Sequence, residues 1–244
     1  MASATADRPP FTVFAGPNGS GKSTAYQRFL AAGYDAGEYL NPDDIAKELG
    51  AASDAPTVID LRAGREVIRR SRELMHARRP FVRETTLSSR EILRSVSAAA
   101  DAGYRVVMVF VAIGSTAATK TRVVQRVICG GHDIPEDAQD RRFARSFDNA
   151  PKVARIAHAA YFLDNSGSQH RLVAAVQRGT VTFLDAQQAE WVAQATSGLP
   201  QAASLLSRAG ALTQLREAER LDTSLEVRDE RVPYRARAAS ADVS

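Results

Sequence analysis

Residues 11–29 have the sequence FTVFAGPNGSGKSTAYQRF, an apolar run followed by a glycine-rich segment and then a helix-forming segment. The apolar run predicts a short buried strand, and the residues from Lys22 onward predict a helix. The segment between them fits the pattern G-x-x-x-x-G-K-S. In the order strand, loop and helix, this pattern indicates a phosphate-binding loop.

Each part of the loop has a chemical task. Glycines adopt backbone conformations closed to other residues and bring N–H groups against phosphate oxygens, while the positive end of the following helix points at the same place. We expect Lys22 to reach the β and γ phosphates of a nucleotide and the Ser23 hydroxyl to ligate Mg²⁺. The predicted nucleotide-binding residues are Gly16, Pro17, Asn18, Gly19, Ser20, Gly21, Lys22, Ser23 and Thr24.

With 244 residues, 44% hydrophobic and 25% charged, the chain has the composition of a globular protein with one α/β domain and an appendage, or with two small domains. Residues 1–10 contain no apolar core of a signal peptide, and the longest apolar run, 106–113, is too short to span a bilayer. We therefore expect a cytoplasmic protein without a membrane partner. The only cysteine, Cys129, excludes an internal disulfide and predicts a small packing residue.

The net charge of +4 raises the question of a nucleic-acid partner. Many of the arginines alternate with acids on what the pattern predicts to be solvated helices, as in residues 62–73. This argues against a nucleic-acid partner. Because a planar guanidinium suits phosphate recognition, some arginines can instead serve an anionic small molecule.

After the first helix, strands and helices alternate along the chain. A short strand at 39–40 runs into Asn41-Pro-Asp-Asp, where Pro42 keeps Asn41 extended and Asp43 or Asp44 can cap a helix at 45–49. We then expect helices at 58–79, 90–102, 116–128, 136–148 and 152–159, strands at 81–84, 105–113 and 161–164, and a hairpin at 171–184. The first of these helices should bury a face with Val58, Leu61, Ile68 and Met75.

This alternation predicts an α/β fold with a doubly wound, mainly parallel sheet of the P-loop NTPase and nucleotide-kinase type. Strand 105–113 has the continuous apolar character of a strand buried on both faces. The site should lie at the carboxyl ends of the strands, where Asp43, Glu84 and the loops after Ile113 and Asp164 meet.

The same patterns divide the chain into two regions. We expect residues 1–185 to form the phosphate-loop domain, with a helical lid at about 116–148, and residues 186–244 to form a C-terminal extension. That extension should contain helices at 187–195 and 202–221. Its polar, arginine-rich end from residue 222 should be disordered.

Among phosphate-loop proteins, the pattern favours a small-molecule kinase. Residues 164–167 fit a D-x-x-G string, but the chain has no N-K-x-D partner of a GTPase, and strand 105–113 does not end in the acidic pair of a mechanical ATPase. An acid follows the second strand, and arginines crowd the segment late in the domain. A carboxylate in that position can reach both a hydroxyl acceptor and the γ-phosphate, which makes Asp43 the candidate general base.

The candidate lid carries its arginines on two helices separated by the flexible joint Gly130–Gly131. They are Arg122 and Arg126 on the first helix and Arg141, Arg142 and Arg145 on the second. Closing over a triphosphate, such a lid would stabilise the transferring phosphoryl group and exclude water. The alternative is a pair of solvated helices in which Asp137, Asp140 and Asp148 neutralise these arginines.

Seven segments in order resemble the zeta-toxin family of phosphate-loop kinases over roughly residues 10–185. They are 16–24 (GPNGSGKST), 41–46 (NPDDIA), 84–88 (ETTLS), 103–107 (GYRVV), 122–135 (RVVQRVICGGHDIP), 141–146 (RRFARS) and 164–166 (DNS). The resemblance implies a kinase that uses ATP and Mg²⁺ to phosphorylate the 3′-hydroxyl of UDP-N-acetylglucosamine and related UDP-sugars. It also implies a possible antitoxin partner.

By this resemblance, Lys22 is the phosphate lysine, Ser23 the metal ligand and Asp43 the general base, while Arg122 and Arg126 are lid arginines. The acceptor would be bound by Glu84, Thr85, His132 and Arg142. His132 stands where the best-known toxins carry an arginine, so it either touches substrate or packs in the turn. Glu84 can alternatively cap the helix that follows it.

Other functions stay open at this point. The acceptor can be another hydroxyl compound, such as a nucleoside, a sugar or an antibiotic. A nucleic-acid-associated ATPase using the arginine-rich end of the chain, and a nucleotide-binding regulatory module without transfer chemistry, are the alternatives from other classes.

Overall fold

The computed structural model describes residues 8–35, 37–49, 56–128, 135–187 and 190–220. Within them, seven strands form one sheet in the order β2-β3-β1-β4-β5-β6-β7. The first five in this order pair in parallel, and β6 and β7 are antiparallel. The strands are β1 Pro10–Ala15, β2 Glu38–Leu40, β3 Phe81–Thr85, β4 Arg105–Ala112, β5 Ala159–Asp164, β6 Arg171–Gln177 and β7 Thr180–Leu184.

Helices cover both faces of the sheet. One face packs against α1 and α8, and the other packs against α3, α4, α6 and α7. The helices are α1 Lys22–Ala31, α2 Pro42–Glu48, α3 Pro56–His76, α4 Arg90–Asp101, α5 Thr116–Ile128, α6 Glu136–Ile156, α7 Trp191–Ala195 and α8 Arg208–Glu219. The doubly wound, mainly parallel α/β fold expected from the sequence is confirmed.

Strand β4 shows why the sheet is stable at its centre. Val107 and Val109 face the layer that contains α1, while Met108 and Phe110 face the opposite layer, and all four are fully buried. Each such side chain contributes about 1.5–3 kcal/mol by leaving water. The prediction that this strand is buried on both faces is confirmed.

The parallel pairing brings the loop ends together. Strand β1 lies between β3 and β4, with Ala15 in register with Thr85 on one side and Phe110 on the other. The chain leaves β1, β3 and β4 at the same edge of the sheet, and the phosphate-binding loop therefore starts beside the carboxyl end of β3.

Helix α3 buries only part of the face predicted for it: Met75 packs against the core and Ile68 is partly buried, but Val58 and Leu61 are not buried. Val58 and Leu61 are 41% and 57% exposed, whereas Ala63, Val67 and Leu74 are buried against the sheet. At the start of the helix the buried position is therefore taken by the small side chain of Ala63, which a pattern of large apolar side chains does not mark.

The two helices predicted at 136–148 and 152–159 are one helix, α6, which continues through Pro151 to Ile156. Proline lacks a backbone N–H and usually ends or kinks a helix, yet α6 continues through it. Pro151 and its neighbours Ala150 and Val153 are buried. Packing against the sheet therefore holds the helix together across the missing hydrogen bond.

The C-terminal helices pack on the sheet. In α7, Trp191 contacts Phe110 and Phe147, and in α8, Leu212 and Leu215 are buried against the opposite face. Both helices are shorter than expected, and α8 begins only after its N-cap Ser207. The division at residue 185 stays a prediction, and residues 221–244 lie outside the described part of the chain. Across the described residues, no helix combines the length and the apolarity that crossing a membrane requires.

Candidate active site

The phosphate-binding loop fits tightly against its neighbours. Gly16, Gly19 and Gly21 have φ angles of 140°, 73° and 95°, which other residues rarely adopt. A Cβ at Gly16 would overlap the carbonyl oxygen of Val111, and a Cβ at Gly21 would overlap the side-chain amide of Asn165. The loop conformation therefore depends on glycine at these positions, and β4 and the loop after β5 fix its place.

Polar atoms of the loop remain available for a ligand. Helix α1 begins at Lys22, whose Nζ donates to the carbonyl oxygen of Pro17 at 2.9 Å. Asn18 Oδ1 and Ser20 Oγ are buried and have no hydrogen-bond partner among the described residues. A glycine cradle, a helix N-terminus, a nearby ammonium group and the Ser20 hydroxyl, which can donate a hydrogen bond, fit the phosphates of a nucleotide.

Beside the loop, the side-chain oxygens of Ser23 and Glu84 lie next to each other. Ser23 Oγ donates to Glu84 Oε1 at 3.1 Å, across the gap between α1 and the end of β3. Hydroxyl and carboxylate oxygens are the ligands that Mg²⁺ prefers. These residues could therefore hold the metal ion that accompanies a nucleotide.

The start of α2 differs from the prediction that Asp43 or Asp44 caps it. Asn41 is the N-cap, with Oδ1 accepting a hydrogen bond from the Asp43 backbone N–H at 2.9 Å, and Pro42 is the first helical residue. Asn41 is extended, as Pro42 predicts, and this places its short side chain where it can fold back over the first turn. Asp43 and Asp44 both lie inside that turn, and Asp44 pairs with Lys47 at 3.2 Å on the surface.

One cavity collects residues from three parts of the predicted site. It has a volume of 270 Å³ and is lined by the predicted residues Asn18, Lys22, Asp43, Glu84, Thr85 and Arg142, together with residues of α3 and β3. The alternative that Glu84 caps the following helix is wrong, because Ser89 caps α4 by accepting from the Ile92 N–H at 3.4 Å.

Sequence reasoning missed residues that line this cavity. Arg83, only 6% exposed, bridges with Nη2 to Glu91 Oε2 at 2.5 Å and presents a fixed guanidinium to the cavity wall. Asp60 reaches the cavity from α3. Arg83 could have been found from the sequence, because it is an arginine inside the apolar pattern of β3. Nothing in the local pattern of α3 marks Asp60.

The candidate lid is only partly described. Arg122 Nη2 donates to the carbonyl oxygen of Asn165 at 3.1 Å, and Asn165 Nδ2 donates to the Ser20 carbonyl at 2.8 Å, so α5 is tied to the phosphate-binding loop. On α6, Arg141 pairs with Asp137, as the solvated-helix alternative expects. The Arg126 side chain, His132 and the joint Gly130–Gly131 lie outside the described residues, as does Cys129.

A buried histidine also backs the loop. His170 is 2% exposed and lies behind Gly21. Burial lowers the pKa of His170 to about 4, with smaller contributions from the positive charges of Arg28 and Arg122. The imidazole is therefore neutral at pH 7 and adds no charge next to the arginines.

Comparisons with known proteins place the chain in a family. The AAA domain family matches residues 11–150, more than half of the chain, and the chain therefore belongs to that family. An uncharacterized protein of Haemophilus influenzae is 30% identical over 131 residues, which cover 53% of this chain and 89% of that protein.

Two solved structures illustrate the structural similarity. A chain of the AvrRxo1-ORF1:-ORF2 complex with ATP has a TM-score of 0.61 and 17% identity, over 78% of this chain and 64% of that one. A chain of the PezAT chromosomal toxin-antitoxin system of Streptococcus pneumoniae has a TM-score of 0.48 and 15% identity, over 65% of this chain and 68% of that one. The chain thus spans just under two thirds of its AvrRxo1 neighbour. Sheet topology, loop and family together define a P-loop NTPase fold.

Proposed function

We propose that this AAA domain protein is an ATP- and Mg²⁺-dependent kinase that transfers the γ-phosphoryl group to a hydroxyl group of a small molecule. The observation that carries the proposal is the cavity that Lys22, Asp43 and Glu84 share at the carboxyl edge of the sheet. Phosphoryl transfer needs a phosphate cradle, a metal site and a proton acceptor around one space. The AvrRxo1 complex was solved with ATP, which is consistent with this choice of nucleotide.

Each residue has a role that its surroundings support. The backbone N–H groups of the loop hold the phosphates, and Lys22 exchanges its contact with the Pro17 carbonyl for phosphate oxygens. Ser23 would hold Mg²⁺, and its contact with Glu84 adds that residue as a second ligand in place of the acceptor-binding role expected from the resemblance. When bound, the metal would neutralise charge on the β and γ phosphates. Arg142 approaches from α6 and adds a positive charge to the cavity wall.

Asp43 is proposed as the general base. A hydroxyl is a poor nucleophile until its proton is accepted, and Asp43 lines the same cavity as Lys22. The N-cap Asn41 fixes the backbone of Asp43 through its N–H, which limits the positions open to the carboxylate. Closing of the lid over this cavity would exclude water, so that transfer is favoured over hydrolysis.

For the acceptor, we propose a UDP-activated amino sugar of the UDP-N-acetylglucosamine type, in line with the zeta-toxin resemblance. Thr85, Thr86 and Ser88 line the cavity, and hydroxyl side chains can recognise a polyhydroxylated molecule by hydrogen bonds. On the same resemblance we propose that the enzyme is cytoplasmic and binds a protein antitoxin. AvrRxo1-ORF1, likewise, was solved together with ORF2.

The test is direct. The full chain is incubated with ATP, Mg²⁺ and a panel of UDP-sugars, free sugars, nucleosides and aminoglycoside antibiotics, and mass spectrometry follows the gain of one phosphate. We expect a UDP-amino sugar to gain it, and Lys22→Ala to abolish the gain while the protein stays folded. Lys47→Ala, which removes an exposed lysine paired with Asp44, is the matched control and should keep full activity. Wild-type turnover by folded Lys22→Ala would contradict the proposal.

A further inference from the structure

Tyr39 makes a hydrogen bond to one of the two residues of the candidate metal site. Its hydroxyl donates to Glu84 Oε2 at 2.5 Å, from the neighbouring strand β2. Its ring stacks on Tyr26 of α1, with centroids 3.8 Å apart and planes 11° from parallel. The ring is therefore held by the helix that also carries Ser23, and its hydroxyl is aimed at the carboxylate that Ser23 contacts.

The two oxygens of Glu84 have different partners. Oε2 accepts from Tyr39 and lies 3.4 Å from Asn41 Nδ2, which is also 3.2 Å from the Tyr39 hydroxyl. Oε1 accepts from Ser23. The Tyr39 hydroxyl is the donor in its contact with Glu84, whose carboxylate oxygens accept.

A carboxylate with one oxygen held in this way keeps the other oxygen in a fixed direction. We propose that Tyr39 is a positioning residue that orients the Glu84 carboxylate toward Ser23 and so determines how well the site takes Mg²⁺. This inference rests on the proposed function. The stack on Tyr26 needs only the ring, whereas the orientation of Glu84 needs the hydroxyl, and the two contributions can therefore be separated.

Tyr39→Phe removes the hydroxyl and keeps the ring. The probe is a fluorescent ATP analogue, N-methylanthraniloyl-ATP, whose binding is followed while Mg²⁺ is titrated; transfer is measured over the same titration. We expect the Mg²⁺ concentration for half-maximal effect to rise about 10-fold in both measurements, the scale seen when a partner of a metal ligand is removed. The melting temperature should change little.

Tyr34→Phe is the matched control. The Tyr34 hydroxyl also makes a buried hydrogen bond of 2.5 Å, but its partner is Thr12 Oγ1 and not the Glu84 carboxylate. This variant should leave the Mg²⁺ dependence unchanged. If both variants shift melting temperature equally and neither changes the Mg²⁺ dependence, Tyr39 is merely structural and the inference fails.

A double-mutant cycle then tests whether Tyr39 acts through Glu84. In a Glu84→Gln background, Tyr39→Phe should add no further change to the Mg²⁺ dependence. An equal 10-fold change in both backgrounds would overturn the inference. The analogue titration needs no acceptor. If the protein phosphorylates none of the compounds tested, the proposed function is contradicted, but the Mg²⁺ dependence of analogue binding still tests the role of Tyr39.

Discussion

At the scale of single residues, the phosphate-binding loop depends on side chains from distant parts of the chain. The Asn165 amide holds the Ser20 carbonyl across 145 positions, and Glu84 meets Ser23 across 61. The loop itself was predictable because its residues are contiguous and each has a fixed task. Its supporting partners were not, because the local pattern around Tyr39 or Asn165 gives no sign of which distant residue it will meet.

His170 gives a pH-dependent prediction. An unfolded histidine takes up a proton at a pKa of about 6.5, whereas His170 in the folded protein does so at about 4. Between these values the unfolded chain binds more protons, so stability is present above pH 6.5 and is lost as the pH falls toward 4, by at most about 3 kcal/mol. Urea unfolding at a series of pH values should show this slope.

His170→Gln should flatten the slope between pH 6.5 and 4, and the exposed His76→Gln should leave it unchanged. Burial and the charge of Arg178 also lower the pKa of His158, so part of the pH dependence will remain in the variant. An unchanged slope in His170→Gln would show that the imidazole is not held neutral behind the loop.

At the scale of elements, the boundaries set by strong local signals were predicted well. Helix α5 spans Thr116–Ile128 as expected, and the hairpin of β6 and β7 turns at Arg178–Gly179, where both residues have positive φ. The errors arose where tertiary packing overrides local preference. Pro151 stays in α6 because its surroundings are buried, and α3 turns Ala63 rather than Leu61 toward the sheet.

The arginines of the candidate lid can be tested by substitution. Arg142→Ala and Arg126→Ala should lower the rate of transfer by roughly 10²-fold and weaken ATP binding much less, because these groups meet charge mainly in the transition state. Single-turnover rates and analogue binding separate the two effects. Arg141→Ala is the control, since Arg141 pairs with Asp137 on the exposed side of the same helix. Normal transfer by the first two variants would favour the solvated-helix alternative.

At the scale of the whole molecule, α8 completes the core on the α1 side of the sheet. Leu212 and Leu215 are buried there, and the Arg105 guanidinium pairs at 2.7 Å with Glu219, whose side chain is 1% exposed. The apolar pattern predicted a C-terminal helix but not where it packs. We propose that residues 190–220 fold together with the sheet, whereas residues 222–244 show no apolar periodicity in the sequence.

Two truncations test this proposal. Removing residues 221–244 should leave melting temperature and turnover nearly unchanged. Removing residues 207–244 should uncover the buried face and leave Arg105 without Glu219, with a large loss of stability. Leu215→Ala alone should cost about 2–5 kcal/mol in chemical denaturation. A large loss on removing only residues 221–244 would show that those residues contribute to the folded protein.

Phosphoryl transfer at this site requires that the phosphate-binding Lys22 and a base act in one cavity. The most direct measurement is phosphoryl transfer, followed by mass spectrometry, in Asp43→Asn and Asp44→Asn, with analogue binding and melting temperature recorded for both. Asp43→Asn should bind the ATP analogue normally and transfer phosphate about 10²-fold more slowly or worse. Asp44→Asn should transfer at the wild-type rate, because Asp44 pairs with Lys47 on the surface. Full activity in Asp43→Asn beside an inactive, stable Asp44→Asn would contradict the account.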